Sequence, residues 1–94
     1  MMFRITEIYL DKKIAKLSLE GKIVKYCIPD LKKLLLRYRD IENKSVVLDF
    51  AGVTFIDNTA VRMLEKIKDD RIKITNCSLF IHSLLRNLVC SNEE

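Results

Sequence analysis

The run Val46-Val47-Leu48-Asp49-Phe50 constrains this chain more than any other stretch. It is short, β-branched and almost continuously apolar. That pattern predicts a central strand covered on both sides, usually a parallel one. Gly52-Val53-Thr54-Phe55-Ile56 follows without alternation and reads as a connector with two large apolar anchors. Asp57-Asn58-Thr59 then supplies helix-capping side chains. Val61, Leu64 and Ile67, with Met63 beside them, form a helical stripe behind that cap. A strand of this kind ending on a helix amino terminus is the repeating step of an α/β fold.

The flanking segments repeat the step. Residues 3–9 read as a strand carrying Phe3, Ile5 and Ile8, and Asp11-Lys12-Lys13 as a turn. Ile14 to Leu19 alternates, with Leu17 and Leu19 on one face. Glu20-Gly21-Lys22 ends or bends that strand. Pro29 suits the first turn of a helix, where its missing N–H is not required. Leu31, Leu34, Leu35, Tyr38 and Ile41 form the apolar stripe of that helix, with Lys32, Lys33, Arg37 and Arg39 opposite. Ile72 and Ile74 mark another strand, Asn76-Cys77-Ser78 a turn, and Phe80, Ile81, Leu84, Leu85 and Leu88 a last helix. The expected order is β-β-α-β-α-β-α. It describes an α/β fold with a small mixed sheet of about four strands, mostly parallel, covered by three helices. The first strand runs antiparallel to the second, beside it or at the outside of the third. One domain is expected over residues 1–90, with residues 91–94 a frayed tail.

Composition excludes several classes. The 94 residues are 49% hydrophobic and 32% charged, enough apolar content for a core. No apolar run approaches the ~20 residues of a membrane-spanning helix. Met-Met-Phe-Arg-Ile-Thr carries no secretory leader pattern, so a cytoplasmic domain without membrane insertion is expected. Cys27, Cys77 and Cys90 are an odd number at wide spacings, which argues against a disulfide framework or a zinc site and for buried thiols at Cys27 and Cys77. The net charge of +4 is spread along the chain and mixed with acids. His82, the one histidine, has no ligand or triad partner at useful spacing, and two glycines build no phosphate-cradling loop. No catalytic, metal or cofactor residue is therefore expected. Asp49 superficially suits a receiver-type phosphoacceptor, but the acidic pair and lysine that such a site needs are missing.

Chemistry in an open α/β sheet gathers where strand carboxyl ends meet helix amino ends. Of three such junctions, Thr54 to Ala60 is the richest, with Asp57, Asn58 and Thr59 in succession. Helix amide groups and the helix dipole favour an anion there, so a phosphate on or near Thr59 would be tolerated and Asp57 would tune it by repulsion. The bland alternatives are a cap for Asp57, a turn residue for Asn58 and an unregulated first-turn residue for Thr59. Phe55 and Ile56 read equally as core or as a docking patch.

The run from Val46 to Ala60 resembles the signature of STAS domains, the family of sulfate transporter cytoplasmic domains and anti-sigma factor antagonists. In that family an apolar strand with an Asp leads through a connector to Asp-Ser-Ser/Thr-Gly at a helix start. Leu19-Glu20-Gly21-Lys22-Ile23 is similar to the family's turn before the first helix, and the resemblance covers residues 3–89. It implies a non-catalytic interaction module. The second hydroxyl position after the motif Asp, here Thr59, would be phosphorylated by a partner serine/threonine kinase that is also the anti-sigma factor. Asn58 stands in place of the first hydroxyl residue and Ala60 in place of the glycine. The partner face implied is Phe55, Ile56, Asp57, Asn58, Thr59 and Arg62. Family members usually continue with another strand and helix, so a sheet edge left open to a partner is expected. A second reading is a STAS subunit docking on the ATPase of a bacterial ABC-type lipid-transport complex. A third, resting on the basic first helix, is a nucleic-acid-binding domain, which the absence of interleaved aromatics disfavours.

Overall fold

In the computed structural model, which describes residues 3–91, the first two extended segments are β1 (Phe3–Leu10) and β2 (Ile14–Ile23). Asp11 closes the turn between them: one carboxylate oxygen accepts the backbone N–H groups of Lys13 and Ile14, both at 2.7 Å. These bonds hold the Asp11 carboxyl below its usual pKa. The chain continues through α1 (Ile28–Leu36), β3 (Ser45–Ile56), α2 (Asn58–Ile67), β4 (Ile72–Thr75), α3 (Leu79–Leu84) and β5 (Cys90–Ser91). The sheet order is β1-β2-β3-β4-β5. β1 pairs antiparallel with β2, which settles its place, and every later pairing is parallel.

Each parallel strand is added on the same side of the one before it. Right-handed crossovers then place the connecting helices on one face of the sheet. Burial follows that rule. Ala15, Leu17, Leu19, Val46, Leu48, Phe50, Ile72 and Ile74 are buried, and they join Leu31, Leu35, Val61, Leu64 and Ile81 of the helices in one core. Val47 and Asp49, on the alternate face, are only half-buried. The covering of β3 is therefore one-sided, against the expectation of two; the sequence Val46-Val47-Leu48 is apolar on both faces, but helices lie over one.

Other expectations are corrected by backbone geometry. The segment Ala51–Ile56 is strand, not connector, and β2 runs through Gly21 to Ile23. The β2–β3 register slips twice, between Ser18 and Glu20 and between Gly21 and Lys22, each time with one extra residue on β3. These are β-bulges, which hide a strand by breaking its alternation. Gly21 sits at φ 93°, open to glycine, and a Cβ on Gly52 would meet the Glu20 side chain at 2.8 Å. Ile8 lies at a bulge in β1 and turns outward. Ile41 is 81% exposed because the end of the first helix, Arg37–Ile41, winds as a π-turn and advances less around the axis per residue. Tyr38, by contrast, is buried and donates a hydrogen bond to the Glu7 carboxylate. The last helix stops at Leu84, so Phe80 lies outside the core while Leu85 and Leu88 enter it from the following turn.

The largest correction concerns the cysteines. Cys77 and Cys90 form a disulfide, and Cys27 is free. Asn76 adopts a left-handed conformation (φ 61°) that turns Cys77 back toward β5, where Cys90 pairs with Ile74. A separation of thirteen residues has no sequence signature; the topology alone creates the contact. Ser91 is likewise not frayed: it pairs with Thr75, and its carbonyl accepts the Asn76 N–H at 2.8 Å. This short strand thus pairs with the Ile74–Thr75 half of β4, and that part of the expected open edge is taken. The remainder of the expected tail, residues 92–94, lies outside the described residues.

Candidate functional site

The carboxyl ends of β2 and β3 and the amino end of α2 are tied together by one side chain. Asp57 caps α2, one oxygen accepting the Ala60 N–H at 2.8 Å. Its other oxygen accepts the Lys25 N–H at 2.9 Å, from the turn that follows β2. Its backbone N–H donates to the Ile23 carbonyl at 3.0 Å. Both carboxylate oxygens are therefore engaged in the frame, as the capping reading requires. Asn58 is the first residue of α2, and its side-chain oxygen accepts a hydrogen bond from the Arg86 guanidinium. Arg86 thereby braces the start of α2 from the segment after α3, a tie that no sequence spacing announces.

Thr59 follows in the first turn of α2. It is exposed, and its hydroxyl has no hydrogen-bond partner among the described residues. Ala60 is fully buried and lies in ordinary helical conformation, since it is absent from the residues with positive φ. The alanine at this position thus brings no backbone strain. Arg62, one turn on, is exposed. Ile56 is 2% exposed and belongs to the core, so it is removed from the expected partner face; Phe55, 36% exposed, points outward. Both lie beyond the second bulge of β3, where regular pairing with Lys22 and Ile23 resumes, and ordinary alternation turns one out and the other in.

Three further apolar side chains lie at this end of the sheet; Tyr26 and Leu79 have no role in the sequence reading, and Phe80, expected in the core stripe of the last helix, is exposed instead. Tyr26 stands 86% exposed before α1, and Leu79 and Phe80 stand exposed at the start of α3, which Ser78 caps through the Ile81 N–H at 3.1 Å. Leu79 and Phe80 sit one step off the stripe of Ile81 and Leu85, a displacement visible only once the helix start is fixed. Below Thr59, a groove of about 580 Å³ runs between α1 and α2, lined by Ile28, Lys32, Thr59, Arg62, Met63, Glu65 and Lys66. Asp49 makes structural bonds, accepting the Ala51 N–H at 2.9 Å and an Asn76 side-chain N–H at 3.3 Å.

The STAS domain family profile matches residues 6–84. The chain belongs to the STAS domain family. Among solved structures it is similar to the anti-sigma factor antagonist SpoIIAA in its unphosphorylated form, at a TM-score of 0.69 and 12% identity, over 97% of this chain and 89% of that one. At that identity the likeness concerns the fold, and it agrees with the mixed sheet and three helices described above. Comparison with curated proteins returned no match. Among the described residues, no helix is long and apolar enough to cross a membrane. In this STAS domain the motif stretch from β3 into α2 offers a presented hydroxyl in a rigid frame.

Proposed function

We propose that this STAS domain is a non-enzymatic cytoplasmic interaction module of the anti-sigma factor antagonist type. It would dock a regulator on Phe55, Asn58, Thr59 and Arg62, with Asp57 holding the surface in place. A partner serine/threonine kinase, itself the anti-sigma factor, would switch it by phosphorylating Thr59. The observation that carries this reading is the Thr59 hydroxyl, exposed and without a partner among the described residues, on the first turn of a helix whose cap is fully bonded. The fold shared with an anti-sigma factor antagonist supports it. A phosphoryl group there adds roughly −1.5 to −2 charges and changes what the face can bind.

Incubation with the cognate kinase and ATP, followed by peptide mass spectrometry, tests the proposal. One phosphoryl group is expected on the peptide containing Thr59 and none in Thr59→Ala. Equal incorporation in that variant would sink the site.

The second reading, attachment to an ABC-type lipid-transport ATPase, draws on Tyr26, Phe55, Leu79 and Phe80. Exposed apolar side chains at one end suit a partner held permanently by apolar burial. Pull-down of an ATPase in place of a kinase would select it. Two of the four cations of the basic first helix are engaged within the domain, Arg37 by Glu42 and Arg39 by Asp40 and Asp69, which weakens the nucleic-acid reading.

A further inference from the structure

The geometry points to the groove between α1 and α2 as the receiving site for a phosphoryl group on Thr59, held by Lys32, Arg62 and Lys66. This rests on the reading of Thr59 as a phosphorylation site and adds where the phosphate goes. The Thr59 side chain opens onto the same groove as the three cations. Arg62 and Lys66 follow Thr59 by three and seven residues, which puts them on its side of α2, one and two turns along. Lys32 comes from the opposite wall, on α1.

None of the three side chains makes an ion pair or hydrogen bond among the described residues. Arg4, Arg37, Arg39 and Arg86, by contrast, are each engaged by a side chain of the domain. The cations of this groove are thus uncommitted, and they flank one exposed hydroxyl.

The lining contains one acid, Glu65, with a buried carboxylate oxygen that has no partner. Three cations less one carboxylate leave the groove at +2. That is close to the roughly −1.5 to −2 charge of a phosphothreonine. Asp57, next to Thr59, is held by two backbone N–H groups and stays with the cap. The phosphate therefore has cations ahead of it and a fixed carboxylate behind it. Phosphorylation then places a dianion between the walls of the groove, ties α1 to α2 and cancels a basic strip; it does not raise an isolated negative knob. A partner reading this face then meets a neutralised strip in place of a basic one.

The test uses the full chain with phosphothreonine encoded at position 59 during translation, so no kinase is needed. Phosphorus NMR across pH reads the second ionisation of the phosphate, which lies near ~6 when unperturbed. It is expected about one unit lower in the folded domain, a tenfold change in proton affinity. The triple variant Lys32→Gln, Arg62→Gln, Lys66→Gln changes exposed side chains and should restore the ordinary value with an unchanged circular dichroism spectrum. A domain that titrates like a phosphothreonine peptide overturns the inference. So does a lowered value that survives the triple variant, since the helix end alone would then account for it. Failure of kinase labelling leaves this measurement standing, so the two readings fall separately.

Discussion

Asp57 and Ile56 are adjacent, and their fates show what a sequence discloses at the scale of one residue. The Asp57 cap was legible because an N-cap needs only local chemistry, a carboxylate three residues ahead of an amide. The second bond, from Lys25, was not legible, because it joins positions 32 apart in the chain. Ile56 was ambiguous for another reason: two bulges in β3 shift its phase, so Phe50, Val53 and Ile56 are all buried three residues apart in a strand. Replacing Ile56 by Ala should cost about 2–5 kcal/mol in a urea unfolding experiment, the range for deleting a buried aliphatic side chain. Phe55→Ala should cost about 1 kcal/mol or less, and it should weaken partner binding in a pull-down that Ile56→Ala affects only through stability. If Phe55→Ala proved the more destabilising of the two, the assignment of inner and outer faces beyond the second bulge would be wrong.

At the scale of elements, periodicity located α1, α2 and α3 and erred at their ends. The first helix was legible from Leu31 to Tyr38 but not its π-wound close, because the widening is imposed from outside. The Glu42 N–H reaches back to the Arg37 carbonyl, and the Tyr38 hydroxyl is claimed by Glu7 on β1. That last bond joins the end of the first helix to the sheet edge and makes Tyr38 a pH reporter. Burial, and after it the hydrogen bond to Glu7, push the phenol up to about 12. Its value in the folded state thus exceeds the ~10 of an unfolded tyrosine. The sign follows by linkage: this contribution to stability is complete below the unfolded value and is lost as pH rises from there through about 12. Ultraviolet titration of the folded domain should show a late-ionising phenol that disappears in Tyr38→Phe. Finding the same late phase in that variant would assign it to another tyrosine.

At the scale of the molecule, the α/β order was legible because strand and helix periods alternate cleanly from Ile14 to Leu85. The edge was not, since β5 is two residues long and carries no period of its own. What holds it is a combination: the pairing with β4, the buried Leu85 and Leu88, and the Cys77–Cys90 disulfide. A small domain with a modest core gains much from such a staple. Closing a loop of about fifteen residues restricts the unfolded chain by roughly 3 kcal/mol. Wild-type protein should therefore unfold at lower urea in the presence of a thiol reductant, while Cys90→Ser should show one midpoint with or without it. Opening should also be local. The Asn76 amide, bonded to the Ser91 carbonyl, should lose hydrogen-exchange protection on reduction, while amides between β2 and β3 keep theirs. Three titratable thiols in oxidised, denatured protein would show that the bond does not form, and the edge would then rest on packing alone.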